Sequence, residues 1–198
     1  LKIYSLSVKY NFTEGTSITV GRRINPRMAS IGAIDGLQFE RGFAKKFQYG
    51  AVIGSRPNFS DYSFDAKLFE TGAYLGYSSV ANNKSVQATA GFMEQKNHWQ
   101  TDRRFLYFQQ NADLTTHLNL FASAEVDLFE KINEVVKNEP RLTNLFVSAR
   151  YHFSKKLNAT LSYDNRRNVI FYESFKVFID QYTELETRQG LRLHSNFR

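Results

Sequence analysis

The residues best placed to do chemistry in this sequence are charged side chains within otherwise uncharged polar faces. They occur in segments that alternate apolar and polar residues, on the side that carries Ser, Thr, Asn, Gln and Gly. They are Glu70, Glu125, Asp127, Arg150, Asp164, Arg166 and Arg192. Neighbouring strands are expected to place Glu125 and Asp127 near Arg150. Asp164 and Arg166 are expected one strand farther along the sheet.

Two interpretations of these charges remain open. In the simpler one, the acids and bases form a network that neutralises its own charges inside the protein. In the other, opposed acidic and basic side chains face each other across a narrow lumen. Such a constriction produces a transverse field that selects solutes by charge.

Catalysis finds little support in the sequence. A hydrolase would need a nucleophile, a base and an orienting group within reach of one another. The four histidines are His98, His117, His152 and His194. His98 and His117 are predicted at opposite ends of the strands, and Ser195 beside His194 points to the other face of its strand. Because GxSxG and HExxH motifs are also absent, we expect no enzyme activity.

We also expect no cofactor and no metal. The chain has no cysteine, which excludes thiolate metal sites and disulfides. Asp61 and Asp65 flank Asn58 in one connection, which is weak evidence for a cation site.

Arginines gather where strands meet long connections. They are Arg22, Arg23, Arg56, Arg103, Arg104, Arg166, Arg167 and Arg188. A guanidinium group binds phosphate or carboxylate through two parallel hydrogen bonds. Anionic lipid headgroups or anionic solutes are therefore possible partners. Alternatively, these arginines anchor the connections by donating to backbone carbonyls.

The elements that must position these residues are long strands. In the segment LNLFASAEVDLF, alternate residues from Leu118 to Leu128 are apolar, and the intervening residues include Glu125 and Asp127. Because successive side chains of a strand point to opposite faces, the pattern predicts a sheet with one apolar and one polar face. Segments of roughly ten residues have the length that a tilted strand needs to cross a bilayer.

Eleven such strands are predicted within a single domain covering residues 1–198. They cover residues 2–12, 17–23, 36–44, 47–55, 68–78, 85–95, 103–111, 118–129, 144–153, 157–166 and 189–197. The turn after each odd strand is short and the connection after each even strand is longer, including KNHWQT and a loop containing KINEVVKNEP. Bacterial outer-membrane barrels have this alternation of short turns and long loops.

Aromatic residues support the same interpretation. Those on apolar faces beside short turns are Tyr10, Phe12, Phe43, Phe47, Tyr77, Tyr151 and Phe153. Their common level predicts an aromatic belt at a membrane interface, although the core of a β-sandwich is the alternative. Arg41 departs from the pattern, because it falls on the apolar face of the third strand. Either a bulge turns it away from that face, or this part of the sheet is covered.

Composition narrows the functional classes. The chain has 198 residues, 15% of them aromatic, and no apolar run long enough for a transmembrane helix. Its net charge of +7 comes from scattered Lys and Arg without a nucleic-acid-binding module, so we expect no nucleic-acid partner. Strand patterns reach both ends of the sequence, and a barrel normally has an even number of strands. The sequence is therefore expected to be a segment of a longer protein.

The whole sequence resembles the interior of a large outer-membrane β-barrel of a diderm bacterium, of the porin-like or uncharacterised kind. NPRMASIGAIDGLQFE, TDRRFLYFQQ and ETRQG resemble recurrent features of such barrels. The resemblance implies an all-β, antiparallel, up-and-down transmembrane barrel in the bacterial outer membrane. It implies a porin-like channel or transport pore for small solutes. The alternatives are a non-conducting scaffold whose loops, such as RPNFSDYSFD, bind a ligand, and an outer-membrane hydrolase.

The last long connection carries a different pattern. Phe175, Phe178, Ile179 and Tyr182 recur at helical spacing, which predicts a short amphipathic helix. This helix would either cap the outer opening of the barrel or fold into the lumen and narrow it.

Overall fold

The computed structural model describes residues 2–82, 84–132, 135–167, 169–174 and 187–197. Their strands are β1 (Leu6–Thr13), β2 (Thr16–Ile24), β3 (Ala33–Ala44), β4 (Phe47–Ser55), β5 (Phe69–Ala81), β6 (Lys84–Asn97), β7 (Gln100–Asp113), β8 (Leu118–Asp127), β9 (Glu130–Ile132), β10 (Val135–Lys137), β11 (Arg141–His152), β12 (Leu157–Arg167) and β13 (Thr187–Phe197). A 3-10 helix, Pro26–Ile31, lies between β2 and β3. No helix among these residues is long and apolar enough to span a bilayer.

The predicted eleven-stranded antiparallel sheet with up-and-down order is confirmed. The strands pair in chain order from β1 to β8 and continue through β11, β12 and β13. Closure into a barrel is not observed: within the described ranges β1 pairs with β2 alone and β13 with β12 alone. The predicted helix of Phe175, Phe178, Ile179 and Tyr182 lies outside the described residues.

The connections lie at two ends of the sheet. Among the described residues, those at 14–15, 45–46, 114–117 and 153–156 lie at one end, the turn end, and those at 25–32, 56–68 and 98–99 lie at the other, the loop end, where β8 and β12 also finish. The predicted alternation of short and long connections therefore fails at 98–99. The predicted KNHWQT loop is wrong, because β6 and β7 extend until only His98 and Trp99 separate them. Both residues have positive φ, 50° and 66°, as a tight type I′ hairpin turn requires.

The connection after β8 also contains more structure than predicted. Glu130–Ile132 and Val135–Lys137 pair as a small antiparallel hairpin of their own. The β-branched residues Ile132, Val135 and Val136 favour extended backbone. In the sequence, a three-residue strand is too short for its alternation of apolar and polar residues to be distinguished from a loop.

The two faces of the sheet have opposite polarity. Large apolar side chains are exposed on the outer face, including Leu75 (59%), Leu161 (48%) and Leu193 (73%). The inner face, by contrast, buries charged groups such as Glu70 (0%) and Asp127 (2%). In a water-soluble protein the apolar face would be the buried one.

The 3-10 helix packs against the inner face. Asn25 caps it by accepting a hydrogen bond from the Arg27 amide at 2.9 Å. Met28 is fully buried in a cluster with apolar residues of β3 to β7. The members of this cluster are Met28, Ile34, Val52, Tyr74, Met93, Phe105 and Tyr107. The first long connection therefore fills part of the inner face.

This packing requires an inner-face glycine at position 72. A Cβ added to Gly72 would lie 1.9 Å from Sδ of Met93 and 2.6 Å from the carbonyl oxygen of Phe92. We expect Gly72→Ala to lower the free energy of unfolding by about 1–3 kcal/mol, because overpacking displaces Met93 and the backbone. The matched control is Gly42→Ala, where the nearest atoms lie 3.8 Å from the added Cβ and a change within about 0.5 kcal/mol is expected. Urea unfolding in detergent micelles measures both, and equal midpoints for the two variants would contradict the prediction.

The predicted belt aromatics lie at the turn end. Tyr10 contacts Phe12 with ring centroids 4.9 Å apart, and Phe47 contacts Tyr77 at 5.1 Å. The other contacts among them are Phe43–Phe47 at 5.9 Å and Tyr151–Phe153 at 4.7 Å. Six of the seven side chains are exposed and Tyr77 is half-buried. They therefore form an exposed aromatic band and not a sandwich core.

Arg41 stays on the outer face. It pairs with Tyr49 of β4 and Thr16 of β2 and is exposed. The register shift of this strand pair falls between Gly42 and Ala44, beyond Arg41, so a bulge does not turn its side chain inward. The alternative prediction, that this part of the sheet is covered, is also wrong for the described residues.

Candidate functional site

The strongest charge cluster on the inner face is centred on Arg103, near the loop end of β7. Its Nη2 donates to Oε2 of Glu125 at 2.7 Å and to Oδ1 of Asp127 at 2.7 Å. The hydroxyl of Thr143 donates to the same Asp127 oxygen at 3.1 Å. The Arg103 guanidinium also lies 3.9 Å from the centroid of the Phe105 ring. All four polar side chains are buried, so little of this network is in contact with solvent.

A β-bulge directs two consecutive charged residues into the protein. Gln95 of β6 pairs with Arg103 and the next residue, Lys96, pairs with Thr101, which leaves Asp102 as the extra residue. Adjacent residues of a regular strand point to opposite faces, but a bulge changes the direction of the extra one. Asp102 is fully buried and Arg103 is 6% exposed. The bulge therefore lets β7 contribute both an acid and a base to the interior.

Asp102 holds two connections against the sheet. Its Oδ2 accepts from Nη2 of Arg56, which follows β4, and from the Ser174 hydroxyl at 2.6 Å. Its Oδ1 accepts from the backbone amides of Glu173 at 2.8 Å and Ser174 at 3.0 Å. Arg56 lies 4.3 Å from the ring centroid of Phe171. One carboxylate thus fixes both the 56–68 connection and residues 171–174.

We expect Asp102→Ala to release residues 171–174. Hydrogen bonds to a charged group contribute roughly 1.5–3 kcal/mol each, and about 1.4 kcal/mol corresponds to a tenfold change in an equilibrium. Hydrogen–deuterium exchange of the Glu173 and Ser174 amides should therefore accelerate by at least tenfold. Asp61→Ala is the matched control, because Asp61 accepts only within its own exposed loop in the described structure. Unchanged exchange in Asp102→Ala would contradict this role.

The predicted grouping of acids around Arg150 is wrong. Register pairs Arg150 with Asn119, whereas Glu125 is six residues farther along β8, roughly 20 Å away at the rise of a strand. The Nε of Arg150 donates to the Thr160 hydroxyl at 3.3 Å. Glu125 and Asp127 contact Arg103 of β7 instead, because β7 is the other neighbour of β8 and the acids lie at the loop end.

Glu70 of β5 is linked to the Asp102 cluster through Gln95, whose Oε1 accepts from Nη1 of Arg56 at 3.5 Å. The Oε2 of Glu70 accepts from Nε2 of Gln95 at 3.0 Å, and the Glu70 side chain is fully buried. Its partner is therefore an amide on β6 and not an opposed base.

The remaining predicted lumen charges form a mainly basic strip along β12 and β13. Arg166 lies directly opposite Arg188, and Arg192 lies opposite Ser162. Asp164, between these levels, is opposite Gly190. Like charges placed opposite each other destabilise a sheet unless something neutralises them.

A cavity of about 470 Å³ lies at the loop end between these groups. Four arginines line it, Arg56, Arg103, Arg166 and Arg167, together with Glu125 and with apolar side chains including Phe59, Phe171, Val169 and Ile31. The cavity thus joins the buried clusters to the basic strip.

Arg22 acts as an anchor at the loop end. Arg22 forms two hydrogen bonds of 2.5 Å with Asp35. It also donates to the backbone carbonyls of Ile3 and Tyr62, each at 2.7 Å. The bonds to backbone carbonyls match the anchoring interpretation for this residue, and Asp35 is a carboxylate partner from the protein itself.

The histidines are spread across the sheet. His98 lies in the β6–β7 turn at the loop end and His117 at the turn end, as predicted. His152 ends β11, where its amide donates to the His117 carbonyl at 2.8 Å, and His194 lies opposite Thr160 on β12. The structure therefore does not gather all four, although His117 and His152 are neighbours through their backbones.

The loop carboxylates cap turns of their own backbone. Asp61 accepts from the Ser63 amide at 3.0 Å and from its hydroxyl at 2.7 Å, and these bonds hold the pKa of the Asp61 carboxyl below its usual range. Asp65 accepts from the Lys67 amide at 3.0 Å. Among the described residues no group of three or more His, Cys, Asp or Glu side chains is arranged to hold a metal ion.

Sequence reasoning missed Asp102 and Met28. The predicted seventh strand begins at residue 103 and leaves Asp102 outside it, and a bulge leaves no trace in apolar alternation. Met28 lies in a connection whose inward path depends on contacts with five strands. The signals available were the charge pair in TDRR and an apolar residue within NPRMAS.

No protein-family model matches the chain, and no curated protein matches it. The functional assignment therefore depends on the polarity and geometry described above.

Proposed function

We propose that this chain forms part of the wall of a transmembrane β-barrel in a bacterial outer membrane. The observation that carries the proposal is the inverted polarity of the sheet. Its outer face exposes Val8, Leu161 and Leu193, whereas its inner face buries Glu70 and Asp127. Hydrocarbon is the environment in which exposed leucine and valine are favourable, and a soluble monomer rarely exposes so large an apolar surface.

Strand length and the aromatic band support the same proposal. Ten of the eleven strands of the sheet contain nine or more residues, and a tilted strand needs roughly 9–11 to cross a bilayer. Aromatic side chains gather at the turn end, as they do at the interfaces of membrane barrels. Arg41 is exposed beside Tyr49 in this region, where a long cationic side chain reaches lipid headgroups. A closed wall also requires partners for β1 and β13, because unpaired backbone is costly in hydrocarbon.

We propose a porin-like pore for small solutes as the function of this wall. Polar side chains continue along the inner face of β8, β11 and β12, including Asn119, Ser148, Thr160 and Ser162. The 3-10 helix instead packs over β3 to β7. A water-filled path along β8, β11 and β12 fits this division of the inner face.

A non-conducting scaffold is the second candidate, and one observation favours it. Met28 is fully buried among side chains of five strands, so the first connection plugs part of the interior. In that case the barrel anchors loop-end residues that bind a ligand or partner.

Two measurements on the full-length protein test these proposals. A membrane barrel should migrate differently in detergent gels before and after boiling. Discrete conductance levels in planar bilayers are expected for the pore, whereas a heat-modifiable protein without conductance would replace the pore by the scaffold. Identical migration with and without boiling would refute the barrel itself.

A further inference from the structure

We propose that the arginine-lined cavity at the loop end binds a small organic carboxylate with a flat apolar body. This inference deepens the proposed function. It rests on that function because it requires the cavity to open at a solute-accessible end of the wall. The volume of about 470 Å³ falls within the range of roughly 300–1,000 Å³ that is typical of small-molecule sites.

The cavity carries an excess of positive charge. Its lining contains four arginines and one carboxylate, Glu125. Arg103 is neutralised by Glu125 and Asp127. Arg166 and Arg167, in contrast, form no ion pair with any residue that the structure describes.

The neighbourhood of Arg166 increases this excess. Arg188 lies directly opposite it on β13, and Arg167 follows it in the chain. Two guanidinium groups at one level of a sheet repel each other. An anion bound between them and the cavity would remove this repulsion.

Arg56 is a buried member of the cavity lining that the protein itself holds in place. Arg56 is 4% exposed, and its Nη2 donates to Asp102 and to Ser174. Its Nε, however, is buried and has no hydrogen-bond partner in the described structure. This nitrogen has almost no accessible surface and so does not itself face the cavity, and a bound anion would contact the exposed guanidinium groups of Arg166 and Arg167 instead.

Aromatic rings select the rest of the ligand. Phe171 and Phe59 lie 4.3 Å and 5.5 Å from the Arg56 guanidinium, with their own centroids 5.6 Å apart. Val169 and Ile31 extend this apolar wall. A free phosphate would satisfy the arginines but leave the wall in contact with water. A flat apolar group joined to a carboxylate matches both features.

Isothermal titration calorimetry on the full-length protein in detergent tests the proposal with three probes. Benzoate carries both features, benzamide has the ring without the charge, and inorganic phosphate has the charge without the ring. Benzoate is expected to bind at least tenfold more tightly than either of the others. Equal affinity for phosphate would refute the apolar body, and equal affinity for benzamide would refute the arginine contribution.

Matched variants locate the site. Arg166→Gln/Arg167→Gln removes two exposed cations of the lining and should weaken benzoate binding by at least tenfold. Arg150→Gln is the control, because Arg150 is also an exposed inner-face arginine but lies toward the turn end; a change below twofold is expected. Equal losses in both variants, or no benzoate binding by the unmodified protein, would overturn the proposal.

The readout separates this inference from the proposed function. Calorimetry detects binding whether or not the barrel conducts. Conductance without benzoate binding would refute the carboxylate site alone. Benzoate binding that depends on Arg166 and Arg167, without conductance, would support the site and refute the pore.

Discussion

Replacing Arg103 by methionine is expected to lower the free energy of unfolding by about 3–5 kcal/mol, because breaking a buried ion pair leaves an uncompensated charge. The side chains of Arg103, Glu125 and Asp127 are 7%, 8% and 2% exposed. After the substitution, the cation that remains near Asp127 among the described residues is Arg141, at 4.0 Å. Urea unfolding of the detergent-solubilised protein, followed by circular dichroism, measures the loss.

Arg104→Met is the matched control for this experiment. Arg104 is the next residue in β7 but is 33% exposed and bonds to Glu94 at 3.0 Å. An exposed ion pair contributes at most about 1 kcal/mol. The double variant Arg103→Met/Asp127→Asn should be more stable than the sum of its single variants predicts, by about 0.5–3 kcal/mol. Equal effects of Arg103→Met and Arg104→Met would show that burial does not determine the cost.

The strands and their faces could be predicted because apolar alternation is a local property of the chain. LNLFASAEVDLF contains enough periods to define both the strand and its polar face. The chain order of the strands also followed from sequence, since short turns join antiparallel neighbours. Membrane-type strand length and the positions of the aromatic residues depend on the same local periodicity.

The charged site could not be predicted in the same way, because it depends on register and on a bulge. Alternation places Glu125 and Asp127 on the polar face but does not determine which neighbouring strand supplies their base. The sequence predicts Arg150 on β11 as that base, whereas Arg103 of β7, two residues beyond Phe105, the partner of Asp127, reaches both acids. Asp102 reaches the interior only because the bulge adds one residue to β7.

The inward path of the first connection was also beyond the reach of local patterns. Met28 becomes buried by meeting side chains that are far apart in the sequence, such as Ile34 and Tyr107. Gly91 leaves space for it, since a Cβ there would lie 3.3 Å from Sδ of Met28. Packing of this kind requires the assembled sheet, so it appears only in three dimensions.

Under the proposed membrane location, Leu161→Arg is expected to destabilise the protein by about 2–4 kcal/mol in lipid vesicles, because that is the cost of an arginine facing lipid at the bilayer midplane. Leu161 is 48% exposed on the outer face, between Ala149 and Leu193. Leu157 is the matched control, because it has the same residue type, strand and face but lies beside the turn end. The two positions are roughly 13 Å apart along the strand, so Leu157→Arg places its charge near the headgroups at a cost of about 0–1 kcal/mol.

This comparison separates lipid from water as the solvent of the outer face. On a water-exposed surface both substitutions should change stability by no more than about 0.5 kcal/mol. In a membrane the cost should instead increase with depth, because arginine loses its hydration as it moves away from the headgroups. Urea titration of the vesicle-reconstituted protein gives both values. If Leu161→Arg costs no more than Leu157→Arg, hydrocarbon does not contact this face, and the exposed leucines require a protein partner instead.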